Sequence, residues 1–225
     1  MMRYFYIQNR LDQSFDAGVP KFTNIVRPGG CRACAFVPLG VPPPSPLIVR
    51  PDVRKMRAIF TSTIWGFCVA HVDLLEALGE EVRSRLLLGT MNLESGQPVS
   101  DYRTVRAVEL VVMRDGPRSV HRVCEVCGAL RYTPWPTEPR YIMRQSVRPG
   151  AAIYEVEAES LLVREDVRER IGDRWAKAIA FNEVPIATEP RDGLPAELDV
   201  HPTPEQLKGY EPNYTPSPYA PRPTA

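Results

Sequence analysis

Lysine is almost missing from this chain, which carries 4 lysines beside 24 arginines in its 225 residues. Histidine is scarcer, with 3 scattered at His71, His121 and His201. No HExxH, no GxSxG and no glycine-rich phosphate loop occurs, so the familiar metalloprotease, serine hydrolase and nucleotide-binding layouts are excluded. Long hydrophobic runs are lacking too. The longest, Ile64 to Ala70, is far too short to cross a bilayer. Met1 to Arg10 carries charge early and no apolar segment follows it, which reads as a chain without a secretory signal. The expected location is the cytoplasm, where thiols stay reduced or bind metal. A net charge of +1 gives no electrostatic footprint for nucleic acid or anionic membrane. The arginine excess reads more simply as a GC-rich coding sequence than as guanidinium chemistry.

What is present is cysteine in a pattern. Four of the 5 cysteines form two Cys-x-x-Cys pairs, Cys31/Cys34 and Cys124/Cys127, with 89 residues between the pairs. A thiolate pair at this spacing grips one side of a tetrahedral zinc, and two pairs complete it. The expected site is one structural zinc held by Cys31, Cys34, Cys124 and Cys127. Gly128 follows the second pair, as a metal knuckle with a φ > 0 turn prefers, whereas Ala35 follows the first. A redox dithiol is the competing reading. It requires a βαβ frame with the pair opening a helix, and Pro28-Gly29-Gly30 and Gly128 read as turns instead. His121 is a strand residue on this reading, and Cys68, inside an apolar stretch, is a small buried hydrophobe.

The elements around the pairs are short. Arg3 to Ile7 reads as an opening strand, and the prolines of Val37 to Pro51 exclude a helix or central strand there. Ala58 to Val69 reads as a buried strand. His71 or Asp73 caps a short helix through Leu74, Leu75 and Leu78, stopped by Gly79, with a further turn from Glu80 to Arg85 and a strand at Leu86 to Leu88. Arg103 to Met113 reads as one long strand, and Asp115-Gly116 as a turn. Strands follow at Arg140 to Met143, Ile153 to Val156 and Leu161 to Val163, then a helix over Arg164 to Ile171, a stop at Gly172, and a strand at Ala178 to Val184.

The segments around the two helices match at an offset of 93. Asp166 falls on Asp73, Val167 on Leu74, Ile171 on Leu78, Gly172 on Gly79, Ile179 on Leu86 and Phe181 on Leu88. Either a degenerate duplication with halves 55–115 and 140–190, or two unrelated strand–helix–strand pieces, accounts for this. The expected organisation is one α+β domain over residues 1–200, a mixed or antiparallel sheet with short helices, and a Pro-rich tail over 201–225 that packs on its own domain or is disordered, in preference to binding a partner in polyproline form. Glu155, Glu157 and Glu159 alternate along a strand and read as a solvent face. Nine arginines lie between Arg103 and Arg148 without interleaved aromatics, a weak match to a single-strand binder.

The two cysteine pairs, their long spacer, the Trp65 to Leu78 stretch and a strand–helix–strand ending near Val184 resemble the double-CxxCG motif proteins of myxobacteria. The resemblance covers roughly residues 1–190. Some members of that family are immunity proteins against swarming-inhibition toxins. The resemblance implies a non-enzymatic cytoplasmic protein that binds and neutralises a cognate toxin, with zinc as scaffold. Only the four cysteines and Gly128 carry over. The alternative is a zinc-ribbon protein acting on nucleic acid or a nucleic-acid-processing complex, and the least favoured is a thiol redox enzyme.

Overall fold

The computed structural model of the chain describes residues 2–9, 31, 37, 41–49, 60–62, 66–114, 122–127, 130–131, 140–156, 160–191, 193, 195–196 and 203–208. Helices and strands are mixed, sheet dominates, and the helices are short, as in an α+β protein. The first half contains β1 (Tyr4–Asn9), β2 (Leu47–Val49), β3 (Phe60–Ser62), β4 (Cys68–His71), α1 (Val72–Ala77), α2 (Glu80–Arg83), β5 (Leu86–Gly89) and β6 (Met91–Leu93). The second contains β7 (Tyr102–Ala107), β8 (Leu110–Val111), β9 (Met113–Arg114), β10 (Arg122–Val123), β11 (Leu130–Arg131), β12 (Tyr141–Met143), β13 (Ile153–Val156), β14 (Ser160–Arg164), α3 (Glu165–Ile171), β15 (Ile179–Glu183), β16 (Ile186–Ala187) and α4 (Pro204–Lys208).

Two sheets carry the fold. One is antiparallel in the order β3-β4-β7-β5. The other runs β15-β1-β14-β13-β8, antiparallel except where β8 lies parallel to β13. Each sheet draws one inner strand from the opposite half of the chain: β7 sits between β4 and β5, and β1 between β14 and β15. Small outer sheets, β2-β6 and β16-β12-β9, flank them.

Local sequence explains the helices. His71 is extended at φ −70°, and its Nδ1 accepts the Asp73 N–H at 3.2 Å, which caps α1. Leu74 and Leu75 turn inward, and Gly79 at φ +80° takes a conformation that other residues resist. In α3, Val167 and Ile171, four apart, form the buried stripe, and Gly172 at φ +60° ends it.

One core runs through both halves. Phe60, Leu74, Leu78 and Val105 meet Ile7, Ile153, Val167 and Ile171 in it. A smaller apolar cluster covers the outer side of each sheet, one around Leu47, Val69 and Tyr102, the other around Tyr4, Ile142 and Leu162.

Several sequence expectations need correction. Ala58 to Val69 is not one strand: β3 and β4 form an antiparallel pair, with Gly66 at φ +94° in the connection. The long strand over Arg103 to Met113 breaks after Ala107, and the backbone changes sheet twice, through β8 and β9. Glu155 does not face solvent, being only 3% exposed. Within the proline-rich tail the described residues form the short helix α4. There Thr203 Oγ1 accepts the Gln206 N–H and Gln206 Oε1 accepts the Thr203 N–H, a reciprocal cap. Among the described residues, no helix is long and apolar enough to cross a membrane. Asp115-Gly116, Glu157, Glu159 and the rest of the tail lie outside the described residues.

Candidate metal centre

The second cysteine pair sits at the turn of a small hairpin. Arg122 and Val123 of β10 pair with Arg131 and Leu130 of β11, and the chain turns over residues 125–127 between them. The described residues of this pair form a turn between two strands, and a redox dithiol instead opens a helix. Cys31, 93 residues earlier, reaches the same place, and its Sγ lies 3.9 Å from Cys124 Sγ. The sulfurs of Cys31, Cys124 and Cys127 all lie within 4.8 Å of one another. Cys31 and Cys127 are buried and Cys124 is half-buried.

The spacing is informative. A disulfide needs about 2.05 Å between sulfurs, so the 3.9 Å between Cys31 and Cys124 is not one. A tetrahedral site with metal–sulfur bonds of ~2.3 Å has edges of about 3.8 Å. The Cys31–Cys124 separation fits that edge, and three converging soft donors suit a thiophilic metal ion. The structure thus shows a three-cysteine group able to hold a metal. Cys34, the fourth ligand expected from sequence, lies outside the described residues, as do Gly128, His121 and His201.

No protein-family model matches the chain, and no curated protein matches its sequence.

The sequence reading missed a buried polar anchor between the two sheets. Arg106 on β7 is 1% exposed and faces Glu155 on β13 of the other sheet. Its Nε donates to both Glu155 carboxylate oxygens at 3.0 Å. Its Nη1 donates to the main-chain carbonyls of Val37, at 3.4 Å, and Val41, at 2.9 Å, in the segment that follows the first cysteine pair. One side chain therefore joins both sheets and the backbone at Val37 and Val41. The sequence held a signal for this: each charge stands alone among apolar residues, in Val105-Arg106-Ala107 and in Tyr154-Glu155-Val156. A second buried arginine, Arg114, donates to the carbonyls of Pro195, at 2.8 Å, and Ala196, at 3.3 Å, and fixes that segment against β9.

The remaining chemically interesting side chains have structural duties. Burial pushes the Cys68 thiol well above its ordinary pKa, and the nearby Glu155 carboxylate adds to this against the opposing pull of Arg106. Cys68 is therefore a neutral packed thiol at pH 7, as its apolar neighbours suggest. His71 caps α1 and packs edge-on against Tyr102, with ring centres 5.1 Å apart. Asp166 is held below the usual carboxylate range mainly by its hydrogen bonds with Arg164.

Proposed function

We infer that this is a non-enzymatic binding protein in which Cys31, Cys34, Cys124 and Cys127 hold one structural zinc. Its surface binds and neutralises a cognate protein toxin in the cytoplasm. The observation that carries the non-enzymatic reading is where the buried polar side chains point. Among the described residues these are Thr104, Arg106, Arg114, Glu155 and Ser160. Thr104 bonds to Pro44 O, Ser160 to Ile7 O, Arg114 to two main-chain carbonyls, and Arg106 to Glu155. All are spent on holding elements together. The toxin as partner rests on the resemblance of the cysteine framework to the double-CxxCG proteins.

The zinc-ribbon alternative draws on the β10–β11 knuckle, which is the shape such ribbons use. Arginine availability weighs against it. Arg106 and Arg114 are buried, Arg148 pairs with Glu109 and Arg103 caps its own loop, so four of the nine arginines of that region are already engaged. Phosphate contacts need free guanidinium groups and show as a steep loss of affinity with salt.

The decisive experiment is co-expression with the product of a toxin-like reading frame adjacent to this gene. A stoichiometric complex that abolishes the toxin's activity is expected. If the two purified proteins do not associate, the immunity reading fails, whatever the metal content.

A further inference from the structure

The chain carries one arrangement of elements twice. β3 pairs β4 as Phe60↔Ala70, Thr61↔Val69 and Ser62↔Cys68, while β13 pairs β14 as Ile153↔Val163, Tyr154↔Leu162 and Glu155↔Leu161. Every partner is displaced by 93, the separation of Cys31 from Cys124. Cys34 and Cys127 are displaced equally. So are the two extended residues that precede the helices, His71 and Arg164, and the left-handed glycines behind them, Gly79 and Gly172.

The inner strands complete the correspondence. Against β4, Tyr102 lies opposite His71; against β14, Tyr4 lies opposite Arg164. Leu86 faces Ala107 where Ile179 faces Asn9, and Leu88 faces Val105 where Phe181 faces Ile7. Even the bond entering each helix repeats, Val72 N–H to Asp101 O and Glu165 N–H to Arg3 O. Thus β1 and β7 hold the same slot, each in the sheet built by the other half. The parallel outer pairs repeat as well, with the Leu47 N–H on Thr90 O and the Ile142 N–H on Pro185 O.

Two unrelated strand–helix–strand pieces would share an element order. They have no reason to share these registers and to lend each other the same strand. Reciprocal lending, in which each half offers the surface that it receives, is the mark of a two-fold interface. Equivalent atoms approach closely only near such an axis, and the equivalent sulfurs of Cys31 and Cys124 are 3.9 Å apart.

We propose that the chain is a covalent dimer, two copies of one unit fused in tandem with their first strands exchanged, and that the two cysteine pairs meet on the pseudo-two-fold axis between the copies. The partner that each half's main surface fits is a second copy of the same unit, and a metal at the cysteines is an interface metal with one pair from each copy. Cys68 has Leu161 as its counterpart and packs in the shared core like it, which accounts for the unpaired cysteine. The Arg106–Glu155 pair stands where the other copy has Gln8 and Ser62, so the halves have since diverged there.

The test uses the full chain. A protease site is inserted at the exposed turn around Gly96, which joins the copies between β6 and β7, and is cut after folding. The two pieces are expected to elute as one particle of the uncut size, in equal amounts, and to part only in denaturant. Two separately eluting, folded pieces would overturn the proposal. If the insertion blocks folding, amide exchange on the unaltered protein decides. Leu87 in β5 and Ala180 in β15 should share one opening free energy, and two distinct values would show independent halves. For the axis, Cys31→Ser and Cys124→Ser should lower metal retention to the same extent, as should Cys34→Ser and Cys127→Ser. Loss of metal with only one member of either pair would refute the shared site.

Discussion

Removing the Glu155 carboxylate should cost more than any surface change and more than most core truncations. In Glu155→Ala the Arg106 guanidinium, 1% exposed, keeps its charge and loses the carboxylate it faces. Breaking a buried pair from one side costs about 3–5 kcal/mol, because the surviving charge is left uncompensated in a poorly solvating site. Replacing both members with apolar residues of similar size, Arg106→Met with Glu155→Leu, removes that uncompensated charge. It leaves the Val37 and Val41 carbonyls without the Nη1 donor. Each orphaned acceptor costs about 1–3 kcal/mol where it stays dry, and Val41, half-buried, recovers part of that from water. The double variant is therefore expected at about 1–3 kcal/mol below wild type, less destabilised than Glu155→Ala alone. Urea unfolding of wild type, both single variants and the double variant forms a closed cycle whose interaction term reads the pairing. If Glu155→Ala cost less than about 1 kcal/mol, or the double variant cost the simple sum of the singles, the pair would not anchor the two sheets.

Purified without chelator, the protein is expected to carry one zinc per chain by elemental analysis, and protein free of zinc would remove the metal reading. Gly79→Ala should destabilise more than Gly172→Ala: both glycines have positive φ, but a Cβ at Gly79 would meet Arg170 Nη1 at 2.6 Å while the space at Gly172 is open, so urea midpoints of equal size would contradict the packing at α1. Cys68→Leu, which copies the residue at Leu161, should change stability little beyond the ~1–3 kcal/mol of a modest overpacking, and Cys68 in wild type should resist alkylation until the protein unfolds; rapid labelling of the native thiol would refute its burial. Burial raises the Tyr154 phenol above its ordinary range, with Tyr4 adding to the shift; a group whose folded pKa is raised contributes stability that is complete below its unfolded value, about 10, and is lost as pH climbs beyond it. Tyr154→Phe should therefore flatten the alkaline fall in melting temperature while losing the hydrogen bonds with Arg148 at neutral pH, and an unchanged alkaline slope would count against this.

How much of this was legible in the sequence divides by the range of the forces involved. The helices α1 and α3 were readable because cap, apolar spacing and terminal glycine all act within a few residues. His71, Leu74, Leu78 and Gly79 report on their own neighbourhood. The strand from Arg103 was misjudged because alternation continues through Met113, while nothing local tells the chain to leave one sheet at Ala107 and join two others. That choice is made by β13 and β12, which supply new partners for β8 and β9. Glu155 was misread for a related reason. A carboxylate among carboxylates looks solvated, and only a distant guanidinium can bury it. The strand exchange could not be seen at all from an offset of 93, since β1 matches β7, and the outer pair β2–β6 matches β12–β16, at spacings other than 93.

That difference in spacing bears on where function can lie. If β1 and β7 are equivalent, the slot each fills is fixed by register with two neighbours, and its inward residues are committed to the shared core. Cys31 and its counterpart Cys124 are committed to the axis. What the two copies do not share is therefore the part free to distinguish one protein of this construction from another. Arg106 and Glu155 are one such departure, but they are buried and can act only by stiffening: they hold β7 and the segment after the first cysteine pair more firmly than Gln8 can hold β1. A partner that must recognise this chain, and not merely its architecture, has to read exposed positions at which equivalent residues differ. Just behind the helices, exposed Glu81 stands where the other copy has exposed Arg174, so the first contrast it would meet is a reversal of charge.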